Sequence, residues 1–339
     1  MFISDFRSDT LTQPTPSMLS AMHKAELGDD VYGEDPTVNR LEALAAEMLG
    51  KESCLWLPSG TQSNLVALVT HCQRGDEYLV GQTAHCYRFE GGGAAICGGI
   101  QPQPLDFCPD GSLDLAQVAA AVKPEDYHFA RTRLLCLENT QAGMPLPVTY
   151  LAEARSVCDR LGLRVHVDGA RLCNAAIATQ VELSSLARHS DSLSLCLSKG
   201  LGAPAGSLLL ATKPFIAEAR RWRKVLGGGM RQVGSLAAAG IFALENHVQR
   251  LADDHHRAKY LAEGLLRYEE LRVDVKRVAT NMVFCTPESS LRDAYQSFLQ
   301  QRSIKVGGYG TLRFVTHLGV GDDDVARLLD ATRDFFENR

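Results

Sequence analysis

The chain has 339 residues, 45% of them hydrophobic and 22% charged, with a formal net charge of -5. That length and balance allow about two globular domains and exclude wholesale disorder. The acidic excess argues against nucleic acid as the main partner.

In chain order, short apolar runs alternate with longer helical patterns, which predicts a mostly parallel sheet covered by helices, an α/β architecture. Strands are expected at Cys54–Leu57, Glu77–Val80, Arg133–Leu137, Leu163–Val167, Ser192–Leu197 and Ser207–Ala211. Their apolar residues are consecutive, as in strands buried on both faces. Helices are expected at Thr37–Leu49, Gln62–Cys72, Tyr150–Arg160 and Leu236–Asn246. From about Val248 the pattern becomes mixed. A helix over Arg250–Tyr268 leads to strands at Leu271–Val275 and Met282–Cys285, a helix at Leu291–Arg302, a strand at Leu312–Thr316 and a last helix from Asp322. The chain therefore divides into a large domain, 1–247, which includes the N-terminal segment, and a smaller α+β domain, 248–339. With no Pro/Gly/Ser linker between them, the two are expected to share a helix.

Asp5, Arg7 and Asp9 break any signal-peptide core near the start, and no stretch reaches the ~18 apolar residues of a membrane span. The ten cysteines form no Cys-x-x-Cys pair, which disfavours a zinc ribbon, a redox motif or a cysteine-based metal protein. Cys136 and Cys196 lie in apolar runs as small hydrophobes, and a reducing cytoplasm is the expected location. The basic run Arg220-Arg221-Trp222-Arg223-Lys224 reads as a solvated helix face.

Ligands of open parallel sheets bind beyond the carboxyl ends of the strands, and three of these ends carry chemistry. Pro58-Ser59-Gly60-Thr61-Gln62-Ser63-Asn64 opens a helix, where free N–H groups suit a phosphate; an ordinary N-capping turn is the plain alternative. His166-Val167-Asp168-Gly169-Ala170-Arg171 offers an acid for a cationic nitrogen and an arginine for a carboxylate, or else a simple helix cap. Leu197-Ser198-Lys199-Gly200-Leu201-Gly202 places a lysine beyond a buried strand, suited to Schiff-base chemistry unless it snorkels past the glycines to water. Together, a phosphate cradle at Gly60 and Thr61, an acid at Asp168 and a lysine at Lys199 meet the needs of pyridoxal 5'-phosphate.

These runs, with Phe6-Arg7-Ser8-Asp9-Thr10, Gly28-Asp29-Asp30-Val31-Tyr32-Gly33 and Gly227-Gly228-Gly229-Met230-Arg231-Gln232, resemble in order the L-threonine aldolase family. That family belongs to the aspartate-aminotransferase-like, fold type I pyridoxal-phosphate enzymes. The resemblance implies retro-aldol cleavage of threonine, allo-threonine and related β-hydroxy-α-amino acids to glycine and an aldehyde. It implies that His85 stacks on the cofactor ring and that His128 lies near the substrate hydroxyl, either one serving as base. It implies that Ser8, Arg171 and Arg313 hold the substrate carboxylate, and that Arg231 and Lys224 lie near the phosphate. Tyr32 is implied to reach the site from a neighbouring subunit of a homotetramer whose sites lie at a dimer interface. From the residues alone, Arg313 within Leu312-Arg313-Phe314-Val315 asks for an anion or sits at a sheet edge, and nothing local singles out His85 or His128. No metal ligand set is expected. One departure stands out: Glu138-Asn139-Thr140 follows the family, but Gln141-Ala142-Gly143-Met144 replaces the His-Asn-Gly-Lys of many members, which bears on side-chain selectivity. The rival readings are β-elimination or racemisation on the same cofactor, and a catalytically silent amino-acid sensor.

Overall fold

Seven strands form the central sheet: β1 (Ser53–Leu57), β2 (Asp76–Gly81), β3 (Gln101–Leu105), β4 (Arg131–Glu138), β5 (Arg164–Asp168), β6 (Ser192–Cys196) and β7 (Ser207–Ala211), in the order β1-β7-β6-β5-β4-β2-β3. The computed structural model describes residues 3–337; the outermost residues of the regions 1–247 and 248–339 lie outside these. All the pairs from β6 to β3 are parallel, and β7 alone runs against its two neighbours, β1 and β6. Strands β2, β6 and β7 are buried along their whole length and β1, β4 and β5 each carry four consecutive buried residues, as expected of a sheet with helices on both faces.

The edge strand β3, Gln-Pro-Gln-Pro-Leu, was not expected, because it carries neither an apolar run nor alternation. Pro102 and Pro104 lack N–H groups and suit an edge that pairs on one side only. The stretch Leu271–Val275 is not a strand. It forms two 3-10 turns, Glu269–Leu271 and Val275–Arg277, touching the sheet through one bridge from Val273 to Cys285. The shared helix is also absent: helices Gly234–Asn246 and Leu251–Leu265 are separate, joined by a turn. Arg223 departs from the solvated-face reading, since it is buried against Asp30 at 2.8 Å and donates to the Trp56 carbonyl at 2.9 Å.

The large sheet and its helices enclose one set of apolar clusters, and residues from Ala258 to Phe335 enclose another. The N-terminal segment, expected with the first, joins the second: Ser4–Asp5 pairs in parallel with Ile304–Lys305, and Phe6 packs edge-on against Phe314. A strand pairing of two residues carries no periodic signal, so only tertiary contact fixes its place.

Beyond β4 the chain reverses in a tight turn. Gln141 and Met144 exchange both backbone hydrogen bonds, at 3.0 and 2.8 Å, with Ala142 at φ 48° and Gly143 at φ 81°. Glycine suits its position, but a Cβ at left-handed φ costs alanine roughly 1–2 kcal/mol. Ala142→Gly is expected to raise the unfolding free energy by about 0.5–1 kcal/mol, after the glycine's own entropic cost, in urea denaturation at neutral pH.

Candidate active site

The register of the sheet builds the floor of the site. Glu138 pairs with Asp168 and Asp168 with Ser194, so three adjacent strand ends carry an acid, an acid and a hydroxyl side by side. Gly169 follows at once, and a Cβ there would lie 2.5 Å from the Ser194 carbonyl, so only glycine lets the chain turn this closely. Asp168 is buried; its Oδ2 accepts from Asn64 Nδ2 at 2.8 Å and its Oδ1 from the Ala170 N–H at 3.0 Å. A carboxylate offers about four lone-pair sites, so Asp168 retains acceptor capacity.

Lys199 follows β6, half-buried, with its carbonyl accepting from the Gly202 N–H at 2.8 Å. Its ammonium interacts electrostatically with Asp9, Glu138 and His85, and no hydrogen bond or ion pair holds it among the described residues. The helix Gly60–His71 begins beside β1. Ser59 caps it by accepting from Gln62 N–H at 3.2 Å, which leaves the Gly60 and Thr61 N–H groups free among the described residues. A Cβ on Gly60 would meet only Cys196 Sγ, at 3.9 Å, so the space above the helix end is open. Both readings of this motif hold: the cap is present, and two donors remain for an anion.

His85 starts a one-turn helix whose first N–H donates to Glu138 Oε2 at 2.8 Å. Its Nδ1 meets Glu90 Oε1 at 2.7 Å, and this hydrogen bond raises the imidazole above its ordinary value against the opposing effect of burial. Burial, and then the Asp168 charge, push Glu138 up to about 7. Glu90 is likewise raised, chiefly by burial.

Arg171 is bound to Asp9 through two hydrogen bonds, Nε to Oδ2 at 2.8 Å and Nη2 to Oδ1 at 2.6 Å. Burial alone would raise the Asp9 carboxyl, but the charge and hydrogen bonds of Arg171 hold it down to about 2. Arg313 faces the same pair: burial and the Arg171 charge lower its pKa. It donates from Nη2 to the Arg7 carbonyl at 3.0 Å, its buried Nε has no partner, and no carboxylate pairs with it among the described residues. Ser8 caps the adjacent 3-10 turn, accepting from Thr10 N–H. The structure thus gathers Ser8, His85, Asp168, Arg171, Lys199 and Arg313 around the sheet end.

Four expected residues stand apart. His128 does not meet His85 within this chain. It precedes β4, at the amino end of a strand that runs on the order of 25 Å to Glu138, and it is exposed and paired with Asp126 at 2.6 Å. Tyr32 is 74% exposed, with the Arg231 guanidinium 5.7 Å from its ring. Arg231 itself pairs with Asp29 at 2.9 Å. Lys224 is exposed, at the end of a segment that reaches the Gly60 helix through Gln62, whose Nε2 donates to the Leu226 carbonyl at 3.2 Å. Sequence reasoning missed Asp9, Asn64, Glu90 and Glu138 as members of the site. The available signal was an acid ending an apolar strand at Glu138, and an asparagine four residues inside the capped helix at Asn64.

The residue set fits a phosphorylated pyridine aldehyde. There is an open N–H pair for the phosphate, a buried acceptor for a ring nitrogen, a primary amine free of partners, and an orphaned buried donor, Asn139 Nδ2, beside Asp168.

Comparison with known proteins agrees. The family described as beta-eliminating lyase matches residues 5–288. A protein named low specificity L-threonine aldolase, from Escherichia coli K12, is 51% identical over 98% of both chains. The chain belongs to the low-specificity L-threonine aldolase family. An Arabidopsis thaliana relative, named probable low-specificity L-threonine aldolase 2, is 42% identical over 98% of this chain and 97% of its own. The solved structure of Leishmania major threonine aldolase shares the fold, with a TM-score of 0.85 at 22% identity, covering 98% of this chain and 99% of that one. This is the fold type I architecture that the family resemblance implied. Among the described residues no helix is long and apolar enough to cross a membrane.

The three-carboxyl floor gives a pH test. A carboxyl raised on folding costs stability progressively as pH climbs from its unfolded value to its folded one, because the unfolded chain ionises it first, and the loss is complete above the folded value. In cofactor-free protein, Glu138→Gln is therefore expected to match the parent near pH 4, to gain on it as pH rises toward 7 and to stay more stable above that. The gap should reach on the order of 2–3 kcal/mol by pH 9, read from urea unfolding.

Proposed function

We infer that this chain is a pyridoxal-phosphate-dependent aldehyde-lyase that cleaves threonine-like β-hydroxy-α-amino acids to glycine and an aldehyde. The observation that carries it is the sheet register, which sets Asp168 at one strand end and Lys199 beyond the next, with the Gly60 helix end beside Cys196 of that same strand. When bound, the cofactor supplies an electron sink for the bond that breaks in the substrate.

The chain's own residues do the rest. Gly60 and Thr61 N–H groups hold the phosphate, with Arg231 and Lys224 adding positive charge. Asp168 holds a proton on the ring nitrogen, and Lys199 Nζ anchors the aldehyde carbon. Arg313, a half-buried cation that no carboxylate pairs among the described residues, takes the substrate carboxylate together with Arg171 and Ser8. Because Asp9 already neutralises Arg171, the net charge that selects an anion is carried by Arg313. Fixing the carboxylate also fixes the rotation of the substrate bond to be cleaved, a positioning effect. His85, set by Glu90 through Nδ1, presents Nε2 as the base for the β-hydroxyl proton.

His128, remote from this chain's own sheet end, and Tyr32, exposed beside Arg231, act from a neighbouring copy in a cytoplasmic homotetramer with sites at a dimer interface. Side-chain selectivity follows from the Gln141–Met144 turn, whose Gly143 carbonyl accepts from Thr280 at 2.7 Å.

Borohydride treatment of the purified enzyme is expected to remove a near-visible absorbance band and to add the cofactor's mass to Lys199. Lys199→Ala should lack both signals. Incubation with threonine should yield glycine and acetaldehyde; ammonia and a keto acid would instead assign the elimination chemistry for which the matching family is described. Arg313→Ala is expected to raise KM for threonine about 10- to 100-fold, the loss of one charge-assisted contact, with the absorbance band retained.

A further inference from the structure

Asn64 is buried and its amide meets four polar side chains. Its Nδ2 lies 2.8 Å from Asp168 Oδ2 and 2.9 Å from Glu90 Oε1. Its Oδ1 lies 2.8 Å from Ser194 Oγ and 3.3 Å from His166 Nε2. Two carboxyl oxygens on one side fix the amide: the nitrogen faces them, and the oxygen, which can only accept, faces the other way.

The consequence propagates. An amide oxygen that only accepts requires an N–H on His166 Nε2. A neutral imidazole carries one proton, so His166 Nδ1 is bare and accepts from the Ser192 hydroxyl, 2.8 Å away. Ser192 Oγ has then spent its only hydrogen, so it accepts from His71 Nε2, at 2.7 Å. Burial keeps both rings neutral at physiological pH, lowering His166 to about 4 and His71 to about 3. Every bond in the line points the same way, from His71 through Ser192, His166 and Asn64 to the carboxylate.

We infer that Asn64 is a positioning residue that ends a one-directional hydrogen-bond chain, His71–Ser192–His166–Asn64, on Asp168, and through Glu90 also sets His85. Donors aligned in series polarise one another and favour a negative Asp168, the state that keeps a proton on a ring nitrogen. The same amide nitrogen touches the acid beneath the cofactor and the acid behind the base, so one side chain orients both. This deepens the proposed function and rests on Asp168 meeting the cofactor's ring nitrogen; the chain itself exists in the free protein.

The test uses full-length protein with 15N-labelled histidine, freed of cofactor, in magic-angle-spinning NMR. His71 and His166, assigned from the signals lost in His71→Gln and His166→Gln, are expected as Nε2–H tautomers. An Nδ1–H tautomer at His166 overturns the inference whether or not any variant folds. Asn64→Leu, close in volume but unable to hydrogen-bond, is expected to mix the His166 tautomers and to weaken pyridoxal phosphate binding at least tenfold. Ser192→Ala should release the His71 tautomer and weaken binding about two- to threefold. Unchanged tautomers and unchanged cofactor affinity in Asn64→Leu would sink the role assigned to it. Failure of the parent protein to bind pyridoxal phosphate would remove the proposed function instead, leaving the tautomer result to judge the chain alone.

Discussion

The site depends on the buried ion pair between Asp9 and Arg171. It joins three parts of the molecule that are far apart in sequence: the N-terminal segment, the loop after β5, and, through Asn281 Nδ2 at 3.4 Å from Asp9 Oδ2, the C-terminal core. Asn281 in turn donates to the Thr316 carbonyl at 3.0 Å, which fastens that core to the same point. A buried pair of this kind adds little net stability over an apolar substitute, but loss of one partner costs about 3–5 kcal/mol because the other charge is stranded. Its value here is geometric. With Arg171 neutralised, the neighbouring Arg313 is left as the cation that an incoming carboxylate must answer.

The same economy of charge runs through the floor of the site. Asp168, Glu138 and Glu90 crowd one end of the sheet, and three like-charged acids in low dielectric do not all ionise. The structure separates them by environment. Asp168 has an amide and a backbone donor on its oxygens, whereas Glu138 has a single backbone donor and is pushed up to about 7 by burial and by the Asp168 charge. Glu90 is tied to His85 and Asn64. The three acids thus differ by their donors and not by residue type, and burial raises Glu138 and Glu90.

Burial of polar groups also explains which residues the fold tolerates. His71, His166, Ser192, Ser194 and Asn64 lie on the sheet and the helix packed against it, among the apolar residues of the core, and each of their side chains is hydrogen-bonded. A polar line in an apolar wall is costly unless every member is paired, and a fully paired line is rigid. Rigidity there is transmitted to Asp168 and, across Glu90, to His85.

The local sequence determined the edge strand β1 and the interior strands β2 and β4 to β7, because strands covered by helices demand apolar runs, and it determined the capped helix at Gly60 through Ser59. It also placed Lys199 and Asp168 at strand ends as candidates for the site, since charge beside such runs requires a reason. Family motifs, rather than local pattern, marked Ser8, His85 and Arg313. Tertiary structure alone decided the edge strand β3, whose prolines and glutamines carry no periodicity, and the antiparallel direction of β7, which an apolar run does not encode. It alone decided that Ser4–Asp5 pairs with Ile304–Lys305 and that Asp9 pairs with Arg171. The hub at Asn64 belongs to the same class: its partners lie 26 to 130 positions away, and hydrogen-bond direction is a property of atoms brought together, not of residues in a row.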